Sequence, residues 1–126
     1  MQIIDTNGKE RYRSGLRFIY QKANGILIIY DISKKESFNN LYKYFDEINL
    51  YANEQSKICK ILIGNKTDIL DRAIDEEEGK KVAKEKNMAF FEVSAKDNQN
   101  INQVFNFIVN KILRYELNKY WISIYT

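Results

Sequence analysis

The chain has 126 residues, 44% of them apolar and 13% aromatic, with 20 basic against 17 acidic side chains for a net charge of +3. That length supports one hydrophobic core and hence one domain, and the apolar content excludes a disordered chain. Charges of both signs are interspersed, so no basic tract argues for nucleic acid, and the single cysteine, Cys59, excludes an internal disulfide.

In chain order, Ile3-Ile4 forms a short apolar opening that gives way to Asp5-Thr6-Asn7-Gly8. Three nearly continuous apolar runs follow, Ile26 to Tyr30, Ile58 to Ile63 and Ala89 to Val93, and each ends within a residue or two in polar or glycine residues. Unbroken runs of strand length predict strands covered on both faces, as in a parallel sheet. Between the runs the period changes to that of helices. Phe38, Leu41, Tyr42, Phe45 and Ile48 recur at three and four residues, with Ser37 near the start of the stripe. A second helix is predicted from Asp75, whose carboxylate suits early backbone N–H groups while Glu78 reaches back three residues; its apolar face is thin. A third is predicted from about Asn100, a capping residue with Gln103 three positions on, presenting Ile101, Val104, Phe105, Ile108, Ile112 and Leu113 on one face. Alternating strands and helices with right-handed crossovers predict a doubly wound α/β domain, a mostly parallel sheet with helices on both faces. Residues 1–126 are expected to form this single domain, with an apolar tail from about 117. Cys59 lies within an apolar run and is expected to pack rather than react, and with no leader-like or bilayer-length apolar segment in these residues the expected location is cytoplasmic.

Ligands in such folds collect at the carboxyl ends of the strands. The polar clusters fall there: Asp5-Thr6-Asn7-Gly8, then Asn65-Lys66-Thr67-Asp68, then Ser94-Ala95-Lys96. The second cluster suits guanine, whose N1–H and exocyclic amine are adjacent in-plane donors that one carboxylate accepts together, a pair adenine lacks. Asp68 is the candidate reader. Asn65 either meets a purine acceptor or ties neighbouring loops, and Lys66 is suited to lay its methylene stem over the flat base. In the third cluster the Ala95 N–H suits the guanine O6, Ser94 is placed to orient Asp68, and Lys96 to cover the other side of the base.

These residues carry a resemblance to the Ras-like small GTPases, and within them the Rab type. Asp5-Thr6-Asn7-Gly8-Lys9-Glu10-Arg11-Tyr12-Arg13-Ser14 is similar to that family's DTAGQERYRS segment. Gly25 to Ser33 and Glu36-Ser37-Phe38-Asn39-Asn40 resemble the strand and helix start that follow it. Asn65-Lys66-Thr67-Asp68 matches the NKxD motif and Glu92-Val93-Ser94-Ala95-Lys96 the ExSAK motif. The resemblance runs from the first residue to about Glu116, with motifs in the family's order. It implies a P-loop NTPase G-domain fold, GTP/GDP binding, GTP hydrolysis, a place in vesicle trafficking, and effector or regulator proteins meeting a switch-II-like loop and helices over residues 10–22. It also implies Mg²⁺, held through water by Asp5, and a Gly8 N–H that senses the terminal phosphate. The alternative for these two is that Asp5 ends a strand and Gly8 serves a turn.

The chain also departs from the family pattern. These 126 residues contain no G-x-x-x-x-G-K-[ST] phosphate loop, no switch segment with a metal-binding threonine and no counterpart of the family's first two strands. Lys9 stands where the family usually has a water-orienting glutamine, and an ammonium has only donors. Guanine recognition is therefore expected to be retained with hydrolysis impaired. The competing expectations are a nucleotide-free interaction module and an incomplete product without independent activity. The family's strand order would put its first strand between residues 2–5 and 25–31, so two unpaired edges are expected to face each other, either closing up or leaving a slot. Each unmet buried backbone group costs about 1–3 kcal/mol, against a total stability of about 5–15 kcal/mol, which predicts a marginal isolated chain. The tail Tyr120-Trp121-Ile122-Ser123-Ile124-Tyr125-Thr126 has no cysteine to accept a prenyl group and is expected to cover an apolar patch, to touch a membrane or partner, or to serve no purpose.

Overall fold

The computed structural model describes residues 2–6, 13–52, 57–115 and 121–125. Strands and helices alternate: β1 (Gln2–Thr6), α1 (Arg13–Lys22), β2 (Gly25–Asp31), α2 (Lys35–Asn39), α3 (Leu41–Tyr51), β3 (Cys59–Asn65), α4 (Glu76–Glu85), β4 (Ala89–Val93), α5 (Ile101–Tyr115) and β5 (Trp121–Tyr125). The five strands form one parallel sheet in the order β1-β5-β2-β3-β4. The predicted α/β architecture is thus present, and each of the three apolar runs is a strand.

β2 and β3 are buried along most of their length because their side chains alternate between two cores. Ile26, Ile28 and Tyr30 of β2 and Leu62 of β3 face Tyr20, Phe38, Leu41, Phe45, Ile48, Val82 and Ala83 from α1 to α4. Leu27, Ile61 and Ile63 face the other way, toward Val104, Ile108 and Ile112 of α5. At Gly25 a Cβ would lie 2.6 Å from Cδ1 of Ile108, so the absence of a side chain there lets α5 approach the sheet. Cys59 packs in the α5-side core, where burial pushes its thiol up to about 11 and suppresses the reactive thiolate.

The tail corrects the expectation of facing edges. Residues 121–125 form β5, which lies between β1 and β2 and pairs with both in parallel. Gln2 is opposite Trp121 and Thr6 opposite Tyr125 on one side, while Gly25 is opposite Ile122 and Ile28 opposite Tyr125 on the other. Backbone groups of Gln2–Thr6 and Gly25–Ile28 expected to go unmet therefore have partners from the chain itself, which weakens the stated basis for marginal stability. An apolar, aromatic five-residue stretch carries no mark of which strands it will pair with, so its central place could not be read from the tail's composition.

Local corrections concern helix starts and faces. The stripe from Phe38 to Ile48 is split at Asn40 into α2 and α3, and Tyr42 is 52% exposed rather than part of the apolar face. Leu113 is likewise 47% exposed. The Ser37 hydroxyl accepts the Asp31 N–H at 3.0 Å, binding α2 to the end of β2. Asp75 precedes α4 in extended conformation without a side-chain cap; its carbonyl accepts from Glu78 and Gly79 instead. Asn100 precedes α5 at φ 62°, and its amide donates to the Glu92 carbonyl at 2.9 Å rather than into the first turn.

Candidate guanine site

The parallel register sets Asp31, Asn65 and Val93 level at the carboxyl ends of β2, β3 and β4. The segments that leave β3 and β4 then converge. Thr67 donates its N–H to the Val93 carbonyl at 3.1 Å, and Ile69 closes a turn by donating to the Lys66 carbonyl at 2.9 Å. This turn carries Lys66 in the left-handed region, φ 73°, a conformation that its neighbours must stabilise because a Cβ disfavours it.

Asn65 supplies part of that support. Its Oδ1 accepts the Lys66 N–H at 2.8 Å and the Ala95 N–H at 3.1 Å, so one carboxamide ties the two loops. The Ala95 N–H assigned to guanine O6 from sequence is engaged by Asn65 here. Ser94, fully buried, donates its hydroxyl to Asp68 Oδ1 at 2.7 Å and accepts the Asp97 N–H at 3.1 Å. Lys96 Nζ lies 3.9 Å from Asp68 Oδ2 and is largely exposed. The Ser94 hydroxyl above all, with the Lys96 and Lys66 charges, holds the Asp68 carboxyl below the usual carboxylate range. Asp68 is therefore an anion with one oxygen anchored, the state a reader of two in-plane donors requires.

Two participants carried no role in the sequence reading. Asp31 Oδ2 pairs with Lys66 Nζ at 2.7 Å, while its Oδ1 accepts from Ser33 N at 2.9 Å and Ser33 Oγ at 2.6 Å. It ends an apolar run just as Asn65 does, and that position was the available signal. Gln99 exchanges both backbone hydrogen bonds with Ser94 and accepts from the Thr67 hydroxyl at 3.3 Å. No spacing rule singles it out.

The phosphate side is sparser. Asp5 lies on β1 opposite Ile124 and is exposed. Gly8 and Lys9 lie outside the described residues, as do residues 10–12 of the 10–22 segment. Among the described residues no group of three or more His, Cys, Asp or Glu side chains is placed to hold a metal ion. One exposed carboxylate does not make a Mg²⁺ site, which takes further oxygen ligands, so the described residues do not by themselves fit the metal. Among them, too, no helix is long and apolar enough to cross a membrane.

A parallel α/β sheet with helices on both faces, whose strand ends gather an anchored aspartate, a loop-tying asparagine and two lysines, has the architecture of a Ras-like G domain. The chain belongs to the Ras family, whose model matches residues 1–114. It is similar to the Rab type: 43% identical over 113 residues to Ras-related protein RABD1 of Arabidopsis thaliana, covering 89% of this chain and 54% of that protein. Ras-related protein Rab-12 of Mus musculus is 42% identical over 116 residues, 90% of this chain and 47% of its own length. GTP-binding protein ypt3 of Schizosaccharomyces pombe is 41% identical over 119 residues, 94% of this chain and 55% of its own. The chain thus spans about half the length of the curated relatives it matches.

Proposed function

We propose that this chain is a Rab-like guanine-nucleotide-binding domain in which the base-reading half of the site is retained and hydrolysis is impaired. The observation that carries the reading is the Asp68 carboxylate, fixed by buried Ser94 and linked through Asn65 to the loop bearing Ala95. Its Oδ2 is met at 3.9 Å by an exposed, loosely paired Lys96, a contact that guanine donors can replace at low cost. The name of the ypt3 relative, a GTP-binding protein, supports the same ligand class.

The phosphates are another matter. Most of the binding energy of a nucleoside triphosphate comes from charge-assisted contacts to its phosphates, and these residues carry no glycine-rich loop to make them. Asp5 and Gly8 would lie on that side, where Asp5 would hold Mg²⁺ through water once further oxygen ligands were supplied. Lys9 cannot accept a proton from an attacking water. GTP affinity of the 126-residue chain is accordingly weak and turnover undetectable. Effector or regulator proteins would meet the 10–22 segment, where Phe18 of α1 is 55% exposed beneath the Lys22 ammonium. Trafficking on the cytoplasmic side of membranes is the setting that a Rab-type protein implies.

The test is a nuclear magnetic resonance titration with the 5′-monophosphates of guanosine, inosine and adenosine at millimolar concentration. Shifts should centre on Asp68, Ser94 and Ala95, with guanosine bound about tenfold or more tighter than inosine, which lacks the exocyclic amine. Equal binding of the two, or an unchanged preference in Asp68→Asn, overturns the reading. A submicromolar dissociation constant for GTP with magnesium overturns the weak-binding part.

A further inference from the structure

Asp31 is the most firmly held acid at the crevice. Ser33 donates twice to its Oδ1, its own N–H is accepted by Ser37, and its side chain is 12% exposed where that of Lys66 is 47% exposed. Of the ion pair, then, the aspartate is the fixed member and the lysine the held one. With its lysine half exposed to solvent, such an ion pair stabilises a fold little, so its consequence lies in where it puts the lysine. A free lysine stem samples many rotamers and must be ordered when a ligand packs on it. Clamped at its ammonium 2.7 Å from Asp31 Oδ2, the stem instead runs as an apolar rail from the end of β3 toward the end of β2. The turn closed by Ile69 N to Lys66 O places Asp68 two residues further on, so the rail and the carboxylate belong to one rigid unit.

We propose that Asp31 is a positioning residue of the base site: it holds the Lys66 ammonium so that the Lys66 stem stands as a preformed wall for a planar purine whose edge Asp68 reads. This inference rests on the guanine reading above. It assigns Asp31 to affinity for the ring face, common to purines, and leaves discrimination between purines to Asp68. Asp31→Asn is the clean perturbation, because the amide oxygen still accepts from Ser33 while the charge that holds the ammonium is gone. Lys66→Met keeps an unbranched apolar stem and removes the ammonium.

The experiment titrates guanosine and inosine 5′-monophosphates into the wild-type chain, Asp31→Asn, Asp31→Glu, Lys66→Met and the Asp31→Asn/Lys66→Met double variant, following amide shifts and the ring-current shift of the Lys66 methylenes. Asp31→Asn should weaken both ligands about two- to tenfold, the effect of ordering one rotamer-rich side chain on binding. The guanosine-to-inosine ratio should stay unchanged, the Lys66 ring-current shift should shrink, and Asp31→Glu should recover most of the affinity. In the Lys66→Met background, Asp31→Asn should have no further effect. Wild-type affinity in Asp31→Asn, or an equal loss with and without the Lys66 ammonium, overturns this inference while the base reading stands. A wild-type chain that does not distinguish the two ligands overturns both.

Discussion

Tyr30 offers a test in which removing a polar group should strengthen the fold. Its hydroxyl is buried with no hydrogen-bond partner among the described residues, its ring packs edge-on against Phe38 at 4.9 Å between centroids, and Gly64 and Gly79 back its oxygen. A buried hydroxyl without a partner costs about 1–3 kcal/mol relative to one in water. Deleting one oxygen forfeits a handful of atomic contacts at about 0.1–0.2 kcal/mol each, roughly 0.5–1 kcal/mol in all. Tyr30→Phe should therefore stabilise the chain by about 1 kcal/mol, read in urea unfolding at constant slope and as a rise in melting temperature of about 3–5 °C for a domain of this size. A second readout comes from alkaline pH. Burial, reinforced by the Glu92 charge, pushes the phenol far above its ordinary range. A group whose folded pKa is raised contributes stability that is complete below its unfolded pKa, about 10 for tyrosine, and is lost as pH rises beyond it. The variant should therefore lose less stability than wild type between about pH 10 and 11. Destabilisation by more than about 0.5 kcal/mol, or parallel alkaline limbs, would mean that the hydroxyl is hydrogen-bonded in solution and would refute the reasoning.

Other perturbations follow from the same packing. Gly79→Ala gains about 1 kcal/mol of helix propensity in α4, but the added methyl meets the Tyr30 hydroxyl and the Phe90 ring edge; overpacking of about 1–3 kcal/mol should win, and a higher urea midpoint would disprove it. Ser94→Ala removes a fully buried donor to Asp68 and an acceptor for the Asp97 N–H, so urea unfolding should show a loss of about 1.5–3 kcal/mol together with weaker guanosine monophosphate binding. Lys66 and the Ser33 donors hold the Asp31 carboxyl down at about 2 against burial. The stability it contributes is complete above the ordinary aspartate pKa of about 3.9 and disappears as pH falls toward 2, so Asp31→Asn should flatten the acid limb of a stability profile in that window alone. Removing residues 117–126 takes out β5 and leaves β1 without its neighbour in the sheet; amide exchange in Gln2–Thr6 should then lose all protection, and retained protection would show that β1 pairs directly with β2.

Much of this arrangement is legible in the sequence because burial on both faces writes itself as an unbroken apolar run. β2 and β3 were readable to within about two residues for that reason, and β4 carries the same kind of run although, at the sheet edge, it is only partly buried. The periods of α3 and α5 were readable too, but not which residues at the margin of a stripe stay wet, because Tyr42 and Leu113 depend on neighbours far away in the chain. Capping failed as a guide for the same reason: Ser37 and Asn100 spend their side chains on distant backbone groups, Asp31 N and Glu92 O. At the site, the motif residues Asn65, Asp68 and Ser94 announce themselves by position at strand ends, while Gln99 acquires its role only when the β4 loop folds back on the β3 loop. The Ala95 N–H shows the limit of reading one residue at a time, since its engagement by Asn65 is a property of both loops together.

The placement of β5 has a consequence for biogenesis. β1 precedes β5, its neighbour in the sheet, by more than a hundred residues of chain. While the ribosome is still extending the chain, β2, β3 and β4 can already assemble with their helices, but the β1 segment must wait as an unpaired strand whose backbone N–H and C=O groups are open to chaperones or to the same segment of a neighbouring nascent chain.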